Sequence, residues 1–121
     1  MAGHALRAAE ALASEGIEIE VIDLRTIFPL DLETIVASVR KTGRALVVTE
    51  EPPYASVASE VAASLQESVF EYLDAPVARL TAAHAPVPHA PAMMEALLPQ
   101  VEHIVAAVRG SLERWPPSNE G

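Results

Sequence analysis

The sequence predicts an α/β fold in three layers, an α/β/α sandwich around a mainly parallel sheet. Helix-like and strand-like stretches alternate along the chain. The strand-like runs are separated by helical ones, so they need crossover connections rather than hairpins. The run at residues 45–48 is apolar without alternation, the pattern of a strand covered on both faces. With 121 residues the chain has the size of one domain. At that length roughly two-thirds of the unfolded surface can be buried, enough for a core without covalent staples.

The first helix is expected over residues 4–16, where Leu6, Ala9, Leu12 and Ala13 fall at helical spacing and Gly16 is placed to end it. In residues 17–24, Ile17, Ile19 and Val21 alternate with Glu18 and Glu20. This predicts a strand wet on one face at its start, with Val21 and Ile22 more deeply covered. Pro29 breaks the chain, and Asp31 is a good N-cap. Leu32, Ile35, Val36 and Val39 then mark a second helix; Arg40 and Lys41 suit its negative end and Gly43 its left-handed cap. The apolar strand at 45–48 follows and ends in Glu50, Glu51, Pro52 and Pro53.

A longer helix is expected over residues 56–73, with Val57, Val61, Leu65, Val69 and Leu73 at four-residue steps and Glu60, Gln66, Glu67 and Glu71 outside. Residues 75–82 read as a third short strand. Three prolines in six positions exclude a helix within residues 83–92. A short helix is expected over residues 93–98. Pro99 suits the start of the last one, whose apolar face is Val101, Ile104, Val105, Val108 and Leu112. The domain is accordingly expected to span residues 1–112, with residues 113–121 a flexible tail.

Composition removes several function classes. Half of the residues are hydrophobic, which argues against disorder. No apolar run approaches the ~20 residues that cross a bilayer, and no Arg- or Lys-led apolar leader opens the chain, so neither membrane insertion nor secretion is expected. The chain has no Cys, which excludes a disulfide framework, a thiolate zinc site and a cysteine nucleophile. That suits a reducing cytoplasm, the expected compartment. Eight Lys and Arg stand against 17 Asp and Glu, a formal net charge of −9. Such a chain repels nucleic acid and anionic membranes and attracts basic protein.

Catalytic signatures are missing: there is no Gly-rich phosphate loop, no G-x-S-x-G turn and no HExxH helix. Among the histidines His4, His84, His89 and His103, the pair at 84 and 89 shares one loop. Its spacing fits no ligand pattern and no Asp or Glu lies between, so a loop or interface role is expected. His103, beside Glu102, reads as a solvated helix-face residue. Glu50 and Glu51 stand at the strand end where ligands gather in open α/β sheets, and paired carboxylates can act as acid and base. Adjacent residues on an extended chain point to opposite sides, however, so the two more simply mark the strand's exit into solvent. Glu60, Glu67, Glu71 and Asp74 are spaced to share one face of a continuing helix. That stripe reads either as solvated surface or as a steering face for a cationic partner.

The stretch from residue 20 to 52, EVIDLRTIFPLDLETIVASVRKTGRALVVTEEP, resembles the C-terminal domain of the β subunit of thiamine-diphosphate-dependent 2-oxo acid dehydrogenases. The resemblance rests on V-I-D-L-R-T through Asp31 at residues 21–31, K-T-G-R at 41–44 and the acidic strand end at Glu50 and Glu51. It continues in order with A-S-E-V at 58–61, D-A-P-V at 74–77, P-V-P-H at 86–89 and L-P-x-V-x-x-I-V at 98–105. The P-V-P-H ending is similar to branched-chain members, the other choice being pyruvate-type ones. Two departures stand out. The family's domain opens with a strand before its first helix, whereas this sequence opens on the helix, and Tyr54, Ala55 and Ser56 replace a Gly-rich turn. The domain that activates the coenzyme lies upstream in the family, so the sequence resembles an excised or separately encoded C-terminal piece.

The resemblance implies a transketolase C-terminal-like sandwich lacking its first strand, with no catalytic residue and no coenzyme or metal bound by this domain. Thiamine diphosphate and Mg²⁺ belong to the whole enzyme, which joins an α subunit and a second β subunit in an α2β2 assembly. It also implies docking of the small, basic subunit-binding domain of a dihydrolipoyl acyltransferase. Asp74 is the first candidate for an ion pair with that partner; Glu71 and the end of the last helix come next. Arg25 and His89 are expected to serve the fold or subunit contacts. A vacant strand position leaves open edges, which predicts self-association of the isolated chain. Two other readings remain: a free-standing interaction module of the same fold, and a small enzyme using Glu50, Glu51 or His89.

Overall fold

Asp31 shows how locally this sequence specifies its elements. Its carboxylate accepts hydrogen bonds from the Thr34 backbone N–H at 3.2 Å and the Thr34 hydroxyl at 2.7 Å, starting a helix over Leu32–Thr42. Glu33 in the first turn and Arg40 and Lys41 in the last complement the helix dipole. Gly43, at φ +75°, closes the helix by donating its N–H to the Val39 carbonyl. The computed structural model describes residues 2–23, 31–50, 57–82 and 98–116. Within them the order is α1 (Ala2–Ala13), α2 (Leu32–Thr42), β1 (Leu46–Val48), α3 (Val57–Val69) with a 3₁₀ turn (Phe70–Tyr72), β2 (Ala78–Leu80) and α4 (Val101–Arg114).

The two strands are parallel, with Leu46 opposite Ala78, Val47 opposite Arg79 and Val48 opposite Leu80. The ladder is extended at both ends, by Ala78 N–H to the Ala45 carbonyl and Thr49 N–H to the Leu80 carbonyl. Because side chains alternate along a strand, β1 feeds two separate cores. Ala45 and Val47 pack with Ile35, Val39, Val61, Leu65 and Val69 of α2 and α3. Leu46 and Val48 pack with Ala8, Leu12, Ile104 and Val105 of α1 and α4. The three-layer α/β/α arrangement is therefore present, with α2 and α3 on one face of the sheet and α1 and α4 on the other. No helix among the described residues is long and apolar enough to cross a membrane.

Three expectations need correction. Residues 17–23 form no strand. Their alternation is real: Ile17 and Ile19 pack on the α1–α4 core, while the Glu20 carboxylate binds Ser38 and Lys41 of α2. Extended chain becomes sheet only when a neighbour satisfies its peptide groups, and no described strand lies alongside.

The helix expected over 56–73 is α-helical only to Val69. Each four-residue step overshoots a full turn by about 40°, so an apolar row at such steps drifts off the core. The tighter 3₁₀ turn compensates and lets Leu73 pack back against the α2–α3 core. Finally, the helix does not stop at 112. It runs through Arg114, and Arg44 holds the Trp115 carbonyl, so residues 113–115 belong to the domain. The 93–98 helix lies outside the described residues except at Leu98, which is not helical.

Leu12 is wholly buried between α1 and α4. Its replacement in Leu12→Ala is expected to cost about 2–5 kcal/mol by urea unfolding, the range for a cavity that its surroundings only partly fill.

Candidate functional site

The features that meet at one end of the sheet are the turn after α2, the 3₁₀ turn after α3 and the end of α4. Gly43 receives the Asp74 backbone N–H on its carbonyl at 2.7 Å, while its own N–H caps α2. A Cβ built at Gly43 would lie 2.4 Å from Asp74 Oδ2, so the Asp74 side chain lies against the one residue that leaves it room. Arg44 then reaches the other layer: it donates to the Ser111 carbonyl at 3.1 Å and to the Trp115 carbonyl. Arg40 lies over the Tyr72 ring, 4.7 Å from its centroid, and donates to the Tyr72 hydroxyl at 3.1 Å. The K-T-G-R turn therefore clamps three elements. Sequence reading gave Lys41 and Gly43 their places at the end of α2 and the four letters a family motif, but nothing local to them reveals that Ser111 and Asp74 are their partners.

Beside this clamp stands a mixed acidic and aromatic surface. Glu67, Glu71 and Asp74 are exposed. Phe70 is 68% exposed and Tyr72 44%. Phe70 is the signal that charge counting missed, an aromatic side chain left in water at the end of a helix whose Val61, Leu65 and Val69 are buried. The expected four-member stripe is divided: Glu60 and Glu67 lie on α3, Glu71 in the 3₁₀ turn and Asp74 beyond it, against Gly43.

The remaining candidates separate clearly. Glu50 is exposed at the end of β1, and Glu51 lies outside the described residues. Arg25, His84 and His89 also lie outside them. His103 is exposed, but its Nδ1 accepts the Gln100 backbone N–H at 2.9 Å, which makes it part of the α4 cap. His4 carries a buried Nδ1 with no hydrogen-bond partner. Among the described residues, no three or more His, Asp or Glu converge as a metal site requires. Lys41 and Arg109 are paired with Glu20 and Glu15, and Arg44 is spent on α4.

Two carboxylates titrate abnormally. Hydrogen bonding to Lys41 first, then Ser38, holds Glu20 below its ordinary 4.5. The Thr34 hydroxyl, then its backbone N–H, holds Asp31 below 3.8.

The layered fold, the parallel sheet and the clamped turn define a transketolase-type C-terminal domain. Residues 1–104 match the family model for the transketolase C-terminal domain, and the chain belongs to that family. It is 51% identical over 114 residues to the mitochondrial pyruvate dehydrogenase E1 component subunit beta-1 of Arabidopsis thaliana, covering 94% of this chain and 31% of that one. The human mitochondrial pyruvate dehydrogenase E1 component subunit beta is 43% identical over 111 residues, 91% of this chain and 31% of its own. A bacterial counterpart, from Rhizobium meliloti (strain 1021), is 42% identical over 106 residues, 88% of this chain and 23% of its own. The motifs at 21–31, 41–44 and 74–77 pointed to this kind of β subunit. The chain spans less than a third of the length of these relatives.

Two outcomes test this geometry. Gly43→Ala should lose about 1–3 kcal/mol in urea unfolding, because alanine is strained at positive φ and its Cβ meets Asp74. Unchanged stability would contradict the clamp. A carboxylate held low in the folded state stabilises fully above its ordinary pKa and loses that contribution as pH falls through the folded value. The urea midpoint should therefore drop between about pH 5 and about pH 3, and less steeply in Asp31→Asn, which keeps a capping oxygen but has no titrating carboxylate.

Proposed function

We infer that the chain is the assembly and docking domain of the β subunit of a 2-oxo acid dehydrogenase, within its decarboxylating component. In that enzyme, thiamine diphosphate and Mg²⁺, bound outside the described residues of this domain, support oxidative decarboxylation and acyl transfer to lipoyl. This chain contributes surfaces: one toward an α subunit and a second β subunit, and one toward the basic subunit-binding domain of a dihydrolipoyl acyltransferase. Pyruvate is the 2-oxo acid favoured by the names of the relatives. The branched-chain alternative rests on P-V-P-H at 86–89, outside the described residues.

The observation that carries the docking role is the surface beside the clamp. Docking sites combine an exposed aromatic anchor with charges that steer the partner. Phe70 supplies the anchor and Glu67, Glu71 and Asp74 supply the charge, on a chain whose net charge is −9. Asp74 serves twice in this reading, facing a partner Arg while its backbone fastens the Gly43 turn.

Titration of a purified acyltransferase subunit-binding domain onto the chain tests this. Affinity should fall roughly tenfold or more between ~0.05 and ~0.5 M salt, because exposed charge contacts are screened. Glu71→Gln should weaken it at low salt, and Phe70→Ala should weaken it about tenfold or more at every salt concentration, with neither changing the urea midpoint. Attachment that ignores salt and both substitutions would remove this face from the account.

A further inference from the structure

Arg40, in the last turn of α2, and Tyr72, in the 3₁₀ turn, meet at the acidic and aromatic surface beside the clamp. The Arg40 guanidinium stands 4.7 Å from the centroid of the Tyr72 ring, and its Nη2 donates to the Tyr72 hydroxyl at 3.1 Å. It bonds to no carboxylate among the described residues, although Glu71 adjoins Tyr72 and Asp74 lies two residues on. Those two acids and Glu67 are exposed and, among the described residues, pair with no cation. The surface thus keeps its carboxylates open while a guanidinium of the same chain covers an aromatic face.

That cover is loosely held. Arg40 is exposed and Tyr72 is 44% exposed, and a cation–π contact in water exchanges at little cost. A basic domain drawn to Glu67, Glu71 and Asp74 brings its guanidinium groups to a surface that already holds one. Like charges repel more strongly as the contact loses water, so two do not remain on one ring face. Arg40 has another resting place: in the last turn of α2 it stays at the negative end of the helix, with its side chain in solvent.

We propose that the Tyr72 ring is a guanidinium-binding face of the docking surface, held by Arg40 in the free chain and given up to an arginine of the basic partner. The proposal rests on the docking role inferred above and adds the chemistry of recognition. Planar and weakly hydrated, a guanidinium stacks on an aromatic ring, and the stacked Arg40 shows that this ring accepts one. Arg40 is then a competitor inside the site, and its presence lowers the affinity that the acids and Phe70 supply.

Titration of the acyltransferase subunit-binding domain onto the chain and two variants, at ~0.05 M salt, tests the proposal. Arg40→Gln, which empties the ring face, should raise affinity about threefold or more. Arg40→Lys, which keeps the charge but stacks less well, should raise it about twofold. Proton NMR gives a second readout: the Arg40 side-chain resonances, shifted upfield by the Tyr72 ring in the free chain, should lose that shift at saturation with the partner and in Tyr72→Leu. A lower affinity in Arg40→Gln would make Arg40 a part of the site, and an unchanged one would make it a bystander; either overturns the proposal. A gain in Arg40→Gln with none in Arg40→Lys would reduce the effect to net charge and overturn it as well, as would an Arg40 shift that persists in the saturated complex. An unaltered chain that binds no partner removes the docking role and this inference with it, whereas binding indifferent to Arg40 removes this inference alone.

Discussion

One hydrogen bond, from the Asp74 N–H to the Gly43 carbonyl, organises this domain. It joins the turn that ends α2 to the bend that follows α3, and so sets the entry to β1 beside the entry to β2. From that starting point the parallel register follows, with Ala78 N–H on the Ala45 carbonyl as the next rung. Only glycine meets the requirement at position 43, where a positive φ coincides with a side chain 2.4 Å from where a Cβ would stand. Arg44, the next residue, carries the constraint through the sheet to Ser111 and Trp115 of the opposite layer.

The functional reading depends on this joint. Phe70 and Glu71 lie in the 3₁₀ turn that brings the chain back to Gly43, and Tyr72 is held under Arg40. A surface built on a fixed turn presents its charges and its aromatic anchor without a large ordering cost on binding.

Much of the fold was legible because its signals are local. Asp31, the 3.6-residue spacing of Ile35 and Val39, and Gly43 specify α2 without reference to anything else. The unalternating apolar run around β1 correctly implied helices on both faces. The failures were long-range. Ile17, Glu18, Ile19 and Glu20 have a sound strand pattern, yet a strand also needs a neighbour, which a side-chain pattern does not report. The four-residue rhythm ending at Leu73 concealed a change of helix type. The site was less legible than the fold: the acidic residues were visible from charge alone, but the exposure of Phe70, the engagement of Asp74 with Gly43 and the reach of Arg44 to α4 all depend on tertiary placement.

The central claim is that this family member supplies structure and contact rather than coenzyme chemistry. Isothermal titration of the chain with thiamine diphosphate and Mg²⁺ tests it most directly. The account predicts only the heat of dilution, with no saturable binding at coenzyme concentrations that fill a whole enzyme. A stoichiometric, tightly held coenzyme on these 121 residues would contradict it.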